Sequence, residues 1–258
     1  METLDMDDAL GFYDIYYSPN NAILVVSGDV TPEEVRALAE EHYSKIPANP
    51  DLPERLRTQE PPQTAERRLV YRDARVAQPY VRRSYLAPER DSGAQETAAA
   101  LVFLSEILGG GTTSFLTEEL QFNQEVALFS GSFYRPVSLD DTTFNIIVAP
   151  RPNVTLQEAE DAMDAALAKF METGVDPEQL ERIKFQIRAD QIFARDDVDR
   201  IANRYGQALT SGLTVEDVQA WPEVLQAVTE EDIMAAARGI FDKRASVTGW
   251  LMREEVTQ

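Results

Sequence analysis

Residues 37–47 read ALAEEHYSKIP and contain the chain's single histidine. Leu38-Ala39-Glu40-Glu41-His42 has the outline of an inverted zinc motif, His-x-x-Glu-His, with leucine at the first histidine. In a helix, residues four apart share a face, so two such histidines could grip a metal while the glutamate between them takes a proton from its bound water. Leu38 has no lone pair to offer. His42 therefore reads as a helix-end histidine, favoured near a C-terminus by the helix dipole. With no cysteine and no second histidine, the expected set of metal ligands is empty.

The run Gly109-Gly110-Gly111, with Thr112-Thr113-Ser114 behind it, invites comparison with a phosphate cradle. A P-loop needs Gly-Lys-Ser/Thr after a strand, and here the lysine is missing and the preceding AAALVFLSEIL reads as a helix. The glycines are expected to end that helix and allow a sharp turn into the next. Paired acids such as Asp140-Asp141, Asp196-Asp197 and Glu230-Glu231 are common at this composition, and no spacing singles out an acid and a base. A Ser/His/Asp triad would have to use His42, and no Gly-x-Ser-x-Gly elbow is present. No catalytic residue is expected in this chain.

The elements that would position any site are legible. Thr31-Pro32-Glu33-Glu34, Thr155-Leu156-Gln157-Glu158, Asp176-Pro177-Glu178-Gln179 and Thr229-Glu230-Glu231-Asp232 each set a capping oxygen before an acidic or proline-bearing turn, with an acceptor three residues on. Leu156, Ala159, Met163, Leu167 and Phe170 then recur at helical spacing, and Gly174 marks the end. A long helix follows Asp176. AILVVS (22–27) is a continuous apolar run suited to a sheet centre; 68–72, 79–87, 126–134, 142–149 and 245–252 also read as strands, with 126–149 as an antiparallel hairpin.

The 258 residues could hold one large core or two ordinary ones, and 43% apolar content is enough for a packed interior. Residues 48–65 hold a proline-rich stretch read as a connector. Residues 1–47, a helix, a strand and a helix, are too few for a core and read as the tail of an incomplete first domain. Residues 66–258 read as an α+β unit of two layers, helices on one face of an antiparallel or mixed sheet. Forty-five acids against 24 bases give a net charge of −21, which argues against a nucleic-acid partner. No run approaches the roughly 20 apolar residues of a membrane helix, and METLDMDDALGFY does not read as a signal peptide.

Taken in order, these features resemble a known family. FYDIYYSPNNAILVVSGDVTPEEV is similar to the end of the first domain in a half of the insulinase-like (pitrilysin-type, M16) zinc metallopeptidases. LSEILGGGTTSFLTEELQ and GVDPEQLERIKFQIRADQIFARDD resemble stretches of the domain that follows. The resemblance implies an insulinase/processing-peptidase-like (LuxS/MPP-like metallohydrolase) architecture, with 1–47 ending a first domain and 66–258 forming a second, inactive one. It places the family's zinc helix upstream of Pro19-Asn20-Asn21, so zinc is expected in a longer parent or a partner half and not in this chain. It also implies a second M16 half or subunit as partner in a homo- or heterodimer, a peptide substrate, and a bacterial compartment that is either cytoplasm or periplasm. In active members the opposite half often supplies an arginine and, seven positions on, a tyrosine that hold the substrate carbonyl. Gln121 and Leu128 stand there instead, and with Gly109, Gly110 and Gly111 they are the candidate substrate-facing residues. The expected function is the non-zinc-binding wall of a chamber that encloses peptides; the alternative is a structural assembly subunit of the same fold.

Overall fold

A computed structural model of the chain describes residues 4–56, 61 and 63–254. Five strands, β1 (Arg67–Asp73), β2 (Tyr80–Ala87), β3 (Ala127–Tyr134), β4 (Thr142–Pro150) and β5 (Ser246–Arg253), form one sheet in the order β1-β5-β2-β4-β3. β1 runs parallel to β5 and the other neighbours are antiparallel, so the sheet is mixed. The expected hairpin is β3 and β4, with Tyr134 opposite Phe144.

Helix α3 (Glu96–Gly109) lies on β3 and β4, and α4 (Leu156–Thr173) on β4 and β2. Val81 and Tyr85 of β2 and Phe144, Ile146 and Val148 of β4 point at these helices and are almost wholly buried, as period-two alternation requires. α3 is buried nearly all round because α5 (Pro177–Phe193), α7 (Val215–Ala227) and α8 (Glu230–Ile240) close over its far side. The helical layer is thus two deep around Phe103, Leu104, Ile107 and Leu108. α6 (Val198–Thr210) joins α7 through a small cluster of Ala208, Leu213 and Val218.

The caps account for several helix starts. Thr31, Thr155 and Thr229 each accept a bond from the third helical amide and receive the reciprocal carboxylate. Asp176 departs from the expected pattern: it accepts from Glu178 N, while Gln179 reaches away to donate to Thr113 O (3.2 Å) and ties α5 to the glycine turn. Gly174, at φ +77°, ends α4 as expected.

The strand expected at 22–27 is not formed. This run follows α1 (Met6–Tyr16), precedes α2 (Pro32–Tyr43) and pairs with no strand among the described residues. Ile23, Leu24 and Val26 are 50%, 57% and 48% exposed, and no residue from 4 to 56 is buried. The run has strand composition, but a strand needs a ladder, and the five-stranded sheet supplies none here. Residues 48–56 and 63–66 carry neither helix nor strand.

Candidate functional site

The glycine turn is built by close packing. A side chain on Gly109 would place its Cβ 1.9 Å from the Ser132 amide nitrogen, so glycine lets the end of α3 rest directly on the backbone of β3. Ser132 Oγ donates to Ser105 O (2.7 Å) across the same junction. At Gly110 a Cβ would meet the Glu106 carboxylate, which folds back over it. Burial, with Asp190 nearby, pushes the Glu106 pKa up. Gly111, at φ +148°, completes the reversal; Ser114 Oγ then donates to Gly111 O (2.7 Å) and Glu118 N to Ser114 O (2.9 Å). The expected close of α3 and sharp reversal are thus formed by packing of Gly109 and Gly110 and by the bonds of Ser114.

The stretch read as the next helix is a π-helix, Thr117–Asn123, closed by Gln124 N donating to Glu119 O and followed by Glu125 at φ +53°. Its wide turn aims Gln121 at β3. There Nε2 donates to Ser130 Oγ (2.9 Å), while the Gln121 carbonyl accepts from Arg151 Nη2 (3.1 Å). Glu119 accepts from Lys169 of α4 (2.6 Å) and from Gln124 (2.9 Å), and these bonds hold its carboxyl below the usual range. Gln121 is therefore a clip between π-helix and sheet. Leu128, in the irregular start of β3, is exposed. Gln121 lies in the π-helix and Leu128 on β3; the Gln121 amide is occupied and Leu128 is apolar, so neither can polarise a carbonyl.

His42 lies in the last turn of exposed α2, where the dipole accounts for it. Leu38 is exposed on the same helix. Among the described residues no three His, Asp or Glu side chains are grouped to hold a metal. The described residues do not fit a zinc site.

The face of the sheet away from the helices holds what sequence reasoning missed. The register sets Arg67, Val247, Ser84, Asn145 and Phe133 in one row across five strands, and Leu69, Gly249, Arg82, Ile147 and Gly131 in the next. Among the described residues nothing covers it: Leu86, Phe129 and Phe133 are 58%, 48% and 47% exposed. The tips of the Phe129 and Phe133 rings would lie 3.2 and 3.4 Å from a Cβ on Gly131, so both lean over that glycine. Beside them Asn145 Oδ1 accepts from Arg82 Nη2 (2.8 Å), Arg82 Nε (3.1 Å) and Ser84 Oγ (2.7 Å). The alternation in YVRRSYLA, with Arg82, Ser84 and Leu86 on one side and Val81, Arg83 and Tyr85 on the other, is the signal that could have found it.

The described chain is thus a mixed sheet with helices on one face and an open second face. A model of the family described as "Peptidase M16 inactive domain" matches residues 3–187, and the chain belongs to that family. It is 25% identical over 251 residues to the zinc protease PqqE of Helicobacter pylori, covering 95% of this chain and 54% of that protein. It is 24% identical over 247 residues to the mitochondrial-processing peptidase subunit beta of Lentinula edodes, 92% of this chain and 52% of that one. A solved protease from Helicobacter pylori superposes with a TM-score of 0.88 at 24% identity, over 97% of this chain and 59% of that chain. The first half of the periplasmic protease PqqL from Escherichia coli superposes with a TM-score of 0.78 at 20% identity, over 97% of this chain and 55% of that one. The chain thus spans about half the length of the curated relatives it matches. No described helix is long and apolar enough to cross a membrane.

Proposed function

We propose that this chain is the non-zinc-binding part of an M16-type peptidase, with the uncovered sheet face as one wall of a chamber that holds unfolded peptide. The observation that carries the reading is a broad sheet face bearing aromatic and aliphatic side chains with no water-activating group beside it. An extended peptide can lie across such a face with its side chains between Phe129, Phe133 and Leu69. Zinc and base would come from a longer parent or a partner half. The exposed apolar residues of 4–47, including Ile23, Leu24 and Val26, would be buried in a first domain completed by further sheet and helix, with 48–65 as connector and 66–258 as the second domain. Of the candidate positions, the glycine turn and Gln121 serve to fix β3 in place, and Leu128 is an exposed apolar side chain at the start of that strand.

Photocrosslinking tests the wall directly. With p-benzoylphenylalanine in place of Phe133, an unfolded, uncharged peptide should crosslink, whereas the same group at exposed Phe185 on α5 should capture little. Equal capture at both positions, or capture at Phe185 alone, would move the binding surface off the sheet.

A further inference from the structure

We infer that the uncovered sheet face selects anionic stretches of unfolded peptide, a preference that rests on the wall reading above and names its substrate class. The chain carries −21, yet the strands direct three arginines, Arg67, Arg82 and Arg253, and a single acid, Asp73, to this face. Asp73 is already ion-paired with Arg75 (2.6 Å). Among the described residues neither Arg67 nor Arg82 has a carboxylate partner. Arg82 is instead held by Nε and Nη2 on the neutral amide oxygen of Asn145, which fixes the guanidinium plane and leaves its charge uncompensated. Arg67 stands two strands and two residues away, about 12 Å at ordinary sheet spacings. Leu69 and Phe133 lie in the same two rows. This is the chemistry of a site for carboxylates interspersed with apolar side chains: planar fork donors set among hydrophobic contacts.

The remaining acids act in the opposite sense and would draw cationic peptides. Their influence is long-range, and at physiological salt it is screened beyond about 8 Å. A carboxylate in contact with Arg82 or Arg67 feels those charges unscreened by intervening ions, so the contact preference prevails once a peptide lies on the face. Basic peptides gain from the distant field but meet like charge at the wall.

Fluorescence anisotropy of the chain with labelled twenty-residue peptides of equal apolar content and net charge −4, 0 or +4, at physiological salt, tests this. The anionic peptide is expected to bind roughly tenfold tighter than the cationic one, on the order of what two partly screened charge contacts supply. The Arg67→Gln/Arg82→Gln variant, shown folded by circular dichroism, should bring that ratio close to one, and Arg82→Lys should retain most of it. A cationic peptide bound as tightly or more tightly, or a ratio that survives the double substitution, overturns the inference. If the neutral peptide binds and charge makes no difference, the selectivity fails while the wall stands. If no peptide binds, both fall.

Discussion

Four bonds converge on the Glu160 carboxylate: two from Arg68 (2.6 and 2.7 Å), one from Arg83 (2.9 Å) and one from Trp250 Nε1 (2.7 Å). Arg83 and Glu160 are 1% and 2% exposed, and Arg83 also pairs with Asp164, which Lys243 holds from its other oxygen (2.7 Å). The network pins α4 to three strands. Burial alone would push the Glu160 pKa up, but Arg68, Trp250 and Arg83 outweigh it and hold it low. Removing this acid takes the Glu160 carboxylate from buried Arg83 and from half-exposed Arg68, so Glu160→Ala should cost about 3–5 kcal/mol in urea unfolding. A loss below 1 kcal/mol would show that the network is a surface ornament. Asp217 sits in a second such place: burial raises its pKa, but bonds from Thr214 N (2.8 Å), Ser92 and Gly93 N (3.1 Å) outweigh it and bring it down to about 2. A depressed carboxyl stabilises the fold above its unfolded value of 3.8, and that contribution, on the order of 2 kcal/mol, is lost as pH falls through the folded value. Asp217→Asn should flatten the pH dependence of stability between about pH 4 and 2, and an unchanged slope would remove Asp217 from the account.

At the scale of elements, the junction of α3 with β3 is the least tolerant point. Gly109→Ala would drive a methyl into the Ser132 amide and should destabilise by more than about 3 kcal/mol. Gly206, inside α6 with nothing within 4 Å of its missing Cβ, provides the contrast: Gly206→Ala should stabilise by about 0.5–1 kcal/mol. Equal melting shifts for the two would contradict the packing described. All five strands of the sheet were readable because alternation and turn residues are local signals. α7 shows what was readable but passed over, since Thr214-Val215-Glu216-Asp217 is the same kind of capping box as at Thr31, although Pro222 lies inside the helix behind it. The π-helix was not readable, because its extra residue per turn is enforced by Glu119, Gln121 and Ser130, which come together only in three dimensions. The strand expected at 22–27 failed for the converse reason: its composition is right, and the ladder that would make it a strand lies outside the five-stranded sheet.

For the molecule as a whole, the inactive-domain family and the α+β sheet with helices on one face were legible from ordered motifs, whereas the surface of interest was not. Every strand that builds the open face was marked, but which side of each strand stays uncovered depends on where α3 and α4 pack. Gly131 and Gly249, inconspicuous in the sequence, allow Phe129, Phe133 and Leu69 to lean across the sheet. Reading function from the candidate residues alone pointed to the glycine turn, where the side chains are spent on packing. The unpaired arginines and the rings beside them lie on the other side of the same strands.

We propose above all that this polypeptide binds peptide on its open sheet face and that the activation of water is supplied from elsewhere. Equilibrium dialysis against zinc, followed by metal analysis and a quenched-fluorescent peptide assay on the same sample, addresses it most directly. The account predicts no stoichiometric zinc and hydrolysis no faster than that of the His42→Ala variant. One tightly held zinc per chain with peptide cleavage, both abolished by His42→Ala, would contradict it.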